Sequence, residues 1–196
     1  MDNIQLKFWL GLGRLVGATQ YGLLGTIFVV WLSTVLESKG LAVRNMVMSV
    51  MAAFLMIVFS SRRGVAIACR YPYKAAWAAN AACMVAGVTM LLGLNPWLIV
   101  IIESAVVFVM DTGFLRTRKA LMNRKMYGDE LTMMNSQLDI IARGAYLLGS
   151  GIAMIVPNTI ETVGIVIMVS ASLLLPANLM QIKILLAMPD IEVVKQ

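Results

Sequence analysis

Arg14 and Glu103 each stand far inside a long apolar stretch, and they carry opposite charge. If such stretches cross a bilayer, each ionised group costs about 2.5–3.5 kcal/mol to place there, so it needs a partner or a task. Two chemistries fit long side chains of opposite sign at depth. They can close on each other as a buried ion pair, or they can face a wet cavity and hold a charged solute or pass a proton. At ~1.5 Å per helical residue, Arg14 lies ~12 Å and Glu103 ~17 Å from the charged end of its stretch. Gln20, Tyr21, Asn80 and Asn178 add polar groups to apolar stretches and can line the same space. Asn178 follows Pro176, where a helix loses a backbone N–H and frees a carbonyl. Three other charges have local explanations. Arg44 and Arg143 lie near the ends of their stretches and can snorkel to the headgroups, and Asp111 can pair with Arg116 one turn on.

Composition sets the frame for these residues. The chain has 196 residues, 60% hydrophobic and 13% charged, with a mean hydropathy of +0.85. Soluble domains carry about 25% charged residues, so a cytosolic globule, a disordered tail and a disulfide scaffold are all excluded. There is no histidine. That removes the commonest metal ligand and the usual proton shuttle near neutral pH, and argues against zinc proteases, haem ligation and Ser–His chemistry. Cys69 and Cys83 form no pattern and predict no structural disulfide. The sixteen methionines raise a copper reading, but neither Met46, Met48, Met51 and Met56 nor Met122, Met126, Met133 and Met134 are spaced as a thioether cage. Flexible filler between helices is the better account. No metal, cofactor or catalytic residue is expected.

The elements that would position the charges are apolar runs near the ~20 residues needed to cross ~30 Å of hydrocarbon. They are roughly Leu6–Leu32, Leu41–Phe59, Ala75–Leu94, Trp97–Phe114, Ile140–Val156 and Val163–Leu186. Continuous hydrophobicity predicts helices and not barrel strands. The first run is too long for a signal-peptide core and is expected to remain as a helix. Ser38-Lys39-Gly40, Asn95-Pro96 and Pro157-Asn158 mark short turns between antiparallel neighbours. The loops Ser60–Lys74 and Leu115–Asp139 hold most of the Arg and Lys outside the spans, whereas the short loops hold only Lys39. Positive loops stay in the cytoplasm, which places both termini inside. The same bias explains the formal charge of +6 without nucleic acid. Gly13 and Gly17, and Ala78, Ala82 and Ala86, are candidate stripes for close helix approach. The fold class is all-α: a single polytopic domain over 1–196 in a cytoplasmic (inner) membrane, with six transmembrane helices.

Asp111–Gly151 reads DTGFLRTRKALMNRKMYGDELTMMNSQLDIIARGAYLLGSG, with Asp129-Glu130, Asn135-Ser136, and Gly144, Gly149 and Gly151. This segment and the six-helix topology resemble one half of a major facilitator superfamily transporter. The topology covers nearly the whole chain and the motif about a fifth of it. The resemblance implies that the first and fourth helices face a central cavity, bringing Arg14, Gln20, Glu103 and Asp111 toward one space. With Asn178 these are the candidate substrate or coupling residues, and Arg62, Arg63, Arg116 and Arg143 are assigned to a cytoplasmic gate. The segment FSSRRGVAIACR keeps Arg62, Arg63 and Gly64 but lacks the family's aspartate, and the fifth helix lacks the Gly-Pro pair typical of its antiporters.

The family's transport path lies between two six-helix halves. The expectation is therefore a half-size transporter that moves a small-molecule substrate by alternating access, as a homodimer or with a second six-helix half. The alternative is a non-transporting membrane protein, an immunity, exclusion or accessory factor derived from that fold. An enzyme is not expected: the paired aspartates around a glycine that mark CDP-alcohol transferases are missing.

Overall fold

The computed structural model describes residues 3–60, 66, 69–126 and 128–188. These residues form six helices: α1 (Asn3–Val35), α2 (Glu37–Ser60), α3 (Pro72–Leu91), α4 (Pro96–Lys125), α5 (Gly128–Ala153) and α6 (Ile160–Ala187), and no strand occurs among them. Local chemistry sets the boundaries. The first turns of α3 and α4 carry proline, whose missing N–H costs nothing there. Asn95 Oδ1 caps α4 by accepting from Trp97 N at 3.0 Å, and Thr159 Oγ1 caps α6 by accepting from Thr162 N at 3.3 Å. Glu37, Gly93 and Gly128 turn the chain at positive φ, 52°, 62° and 60° respectively.

Four helices are long and apolar enough to cross a membrane, over Lys7–Val35, Glu37–Val58, Pro72–Leu91 and Ile160–Ala187. Six spans were expected. The segments Trp97–Phe114 and Ile140–Val156 are instead the apolar parts of longer helices. In α4, Pro96–Val106 is followed by Arg116, Arg118, Lys119, Arg124 and Lys125, and α5 carries Asp129, Glu130, Asp139 and Arg143. Residues 115–139, expected as a loop, are helical on both sides of a break between Lys125 and Gly128. Leu, Met, Arg, Lys and Ala are strong helix formers, and charge on an exposed face does not interrupt a helix. The first turn also lies earlier than expected, at Leu36–Glu37, so α2 begins four residues before Leu41.

α5 packs on α1; α6 packs on both α1 and α3; α4 packs on both α2 and α3. These five pairings map onto themselves when α1, α2 and α3 are exchanged for α4, α5 and α6, while two smaller pairings, α1 with α2 and α4 with α6, do not. The α1–α5 crossing is close enough that a Cβ added at Gly22 would fall on the Tyr146 carbonyl, and one at Gly149 on the Thr19 carbonyl. Thr26 Oγ1 donates to Ser150 Oγ at 2.9 Å across the same crossing. Gly87 and Gly164 also bring α3 and α6 together, less closely, since an added Cβ there would first meet the Met168 and Leu91 side chains. The expected Gly13–Gly17 pair is not the close contact, because the space at Gly17 is open. On α3 the buried stripe is Ala76, Ala79, Cys83 and Ala86, with Ala78 exposed. A 3.6-residue period alternates steps of three and four, whereas a strict step of four drifts off the contact face.

Two apolar clusters lie toward opposite ends of the antiparallel helices. Leu24, Ile27, Phe28, Trp31 and Leu32 of α1 meet Met90, Ile99, Val163 and Ile167 at the end of the short turns. At the other end Leu10 meets Leu121, Met122, Met126, Met134, Leu138 and Leu185. Lys125 Nζ donates to the Met188 carbonyl at 2.6 Å there, tying the end of α4 to the end of α6.

Candidate functional site

Between the two clusters is a cavity of about 780 Å³. All six helices contribute to its wall: Arg14 and Tyr21 from α1, Arg44 and Met48 from α2, Cys83 from α3, Glu103, Ser104 and Phe108 from α4, Asp139, Arg143 and Tyr146 from α5, and Leu174 from α6. The wall is mainly apolar and aromatic, with five charged residues set into it. Three arginines face two carboxylates, a formal excess of one positive charge.

Glu103 is only 4% exposed. Its Oε2 is buried with no hydrogen-bond partner, and so is Nε of Arg44. The Arg44 guanidinium lies over the Phe28 ring, with Cζ 5.9 Å from the centroid. A cation over an aromatic face is attracted by the ring quadrupole. Asp139 and Arg143 are four residues apart on α5, in the order in which an acid and a base attract along a helix.

The expected site residues divide into three groups. Arg14 and Glu103 line the same cavity. Asn178 is buried beside it, in a narrow pocket shared with Arg14, Arg118 and Gln181. Gln20 is buried in α1 but is not part of either wall, and its Oε1 has no hydrogen-bond partner. Arg143, expected at a gate, lines the cavity, while Arg116 is half-buried in the charged part of α4. Arg62 and Arg63 lie outside the described residues, and Asp111 is described only by its backbone.

Two features escaped the reading of the sequence. Arg44 was counted as an interface anchor because the second segment was started at Leu41. With α2 beginning at Glu37, Arg44 stands seven residues, or ~10 Å, into the helix. Arg118 and Gln181 form a buried pair, Nη1 donating to Oε1 at 3.2 Å, that locks α4 to α6 beside the narrow pocket. Arg118 stood in a run of bases that positive-loop bias already explained; its spacing from Phe114 and Leu121, both buried, was the available signal.

The cavity can do the chemistry of binding. It offers cationic donors, carboxylate acceptors and aromatic faces around one cavity, and no cluster of groups suited to a metal ion occurs among the described residues. No protein-family model, curated protein or solved structure matches the chain.

Proposed function

We propose that the protein is a half-size membrane transporter of the inner membrane, with six membrane-embedded helices and both termini cytoplasmic, which pairs into a dimer and moves a small solute by alternating access. The observation that carries this reading is the position of the cavity: five charged groups from four helices converge between an apolar cluster toward each end of the bundle. Such charges are costly at membrane depth unless they face a partner, a ligand or water. The exchange pattern of helix pairings adds support, because inverted repeats of three helices place binding sites at the repeat interface in carriers. The major facilitator superfamily is the family whose half this arrangement resembles.

α2 favours pairing. Only 6% of its apolar span is buried within the chain, against 39–44% for the other three spans, so most of its surface is left for lipid or for a second copy. Native mass spectrometry with lipid retained should give two chains. Proteoliposomes exposed to a mixture of small metabolites should accumulate at least one of them above protein-free vesicles, and Glu103→Gln should abolish that uptake. A single chain with no protein-dependent uptake would overturn the proposal and leave a membrane interaction protein as the better reading.

A further inference from the structure

We infer that the cavity binds a zwitterion, a molecule with an ammonium and an oxyanion held close together on an apolar body, with Glu103 receiving the ammonium and Arg44 the oxyanion. This deepens the reading of the cavity as a carrier's solute site and rests on it. Three observations lead there. First, an acid and a base of the cavity wall each keep an unsatisfied atom: Glu103 Oε2 and Arg44 Nε are both buried without a hydrogen-bond partner. Second, Arg44 rests against the Phe28 ring and lines the same cavity wall as Glu103. Third, the remaining wall, including Met48, Phe108 and Leu174, suits a hydrocarbon or aromatic group.

A ligand of one charge would neutralise one of the two groups and leave the other unsatisfied in a desolvated site, which a site of this kind rejects strongly. A zwitterion satisfies both in one binding event. The formal positive excess of the wall comes from Arg14 on α1, because on α5 Arg143 stands one turn from Asp139 and that helix contributes no net charge. Free amino acids with apolar side chains have this chemistry, and so does the ethanolamine phosphate headgroup of a lipid.

The experiment is equilibrium binding of labelled L-leucine and L-phenylalanine to the purified assembly in phosphatidylglycerol nanodiscs, whose headgroup carries no ammonium. The competitors are 4-methylpentanoate, which lacks the ammonium of leucine, and 3-methylbutylamine, which lacks its carboxylate. The zwitterions should bind, and each single-charge competitor should be about tenfold weaker or more, since each loses a charge-assisted hydrogen bond. Arg44→Gln should bring leucine down to the level of the amine, and Glu103→Gln to the level of the acid. Added phosphatidylethanolamine that displaces leucine would assign the same chemistry to a lipid headgroup. The inference is overturned if neither amino acid binds, if either competitor matches leucine, or if both variants keep the wild-type selectivity. Selective binding without uptake into vesicles would retain the charge assignment and reject the carrier reading.

Discussion

Gly22 on α1 and Gly149 on α5 each face the backbone of the other helix: a Cβ at Gly22 would strike the Tyr146 carbonyl, and one at Gly149 the Thr19 carbonyl. The contact is therefore made by main chain, and no rotamer change can relieve a larger side chain. Gly149→Ala should destabilise the protein by about 1–3 kcal/mol through overpacking. Gly144→Ala, on the same helix with open space around it, should be neutral or stabilising by up to about 1 kcal/mol. Unfolding midpoints of the two variants in mixed micelles test this, and equal midpoints would place the α1–α5 crossing elsewhere.

Arg118 and Gln181 are both buried and joined at 3.2 Å. Gln181→Leu removes an acceptor from a buried guanidinium and should cost about 1–3 kcal/mol. With Arg118→Met added, the loss should be smaller than the sum of the two single changes, since the second removes the charge that the first leaves short of an acceptor. A double-mutant cycle in unfolding free energy measures the coupling, and strict additivity would mean that the hydrogen bond adds nothing to stability.

Cys69 is buried against the methionine-rich end of the bundle, outside the spans. Burial pushes its thiol above the usual range, and the nearby positive charge of Arg124 pulls partly the other way. The thiolate is the reactive form. In a Cys83→Ser background, alkylation at neutral pH should be slower than for a free thiol and should rise only as the pH passes above the ordinary thiol range. Arg124→Gln removes the opposing influence and should move the profile to still higher pH. Alkylation rate against pH reads both, and a profile shifted to lower pH would contradict the burial.

Helical structure through residues 128–138 separates two adjacent methionines. Met133 is 48% exposed, whereas Met134 is 2% exposed. A water-soluble oxidant should convert Met133 to its sulfoxide well before Met134, Met122 or Met126, all three of which are buried. Peptide mass spectrometry after a time course reads the order. Similar rates for Met133 and Met134 would return this segment to the loop expected from its charges.

The spans of α1, α2, α3 and α6 were legible because unbroken apolar sequence has one physical meaning in a chain with so little charge. The ends of α4 and α5 were not, since residues 115–139 satisfy both the charge rule for a cytoplasmic loop and the propensity rule for a helix. Arg14 and Glu103 were singled out by the energetic cost of their depth, and both line the cavity. Arg44 was missed through an error of four residues at a helix start, about one turn, which was enough to move it from the interface to the interior. The tight glycine crossing was missed for a different reason. Gly22 and Gly149 stand on separate helices, and a motif confined to one helix, such as Gly13 and Gly17, cannot report which residues meet across two.

The two clusters that bracket the cavity differ in mechanical compliance. Phe28 and Trp31, with ring centroids 5.6 Å apart, are flat, stiff bodies that must move as units. Met122, Met126 and Met134 at the other end are unbranched chains with three rotatable bonds each, able to flow around a displaced neighbour while keeping contact. A distortion applied equally to both ends would meet less resistance at the methionines. The stiff end resists a change of shape, while the methionine-rich end can repack around one, within the limits that the Lys125–Met188 and Arg118–Gln181 bonds between α4 and α6 set.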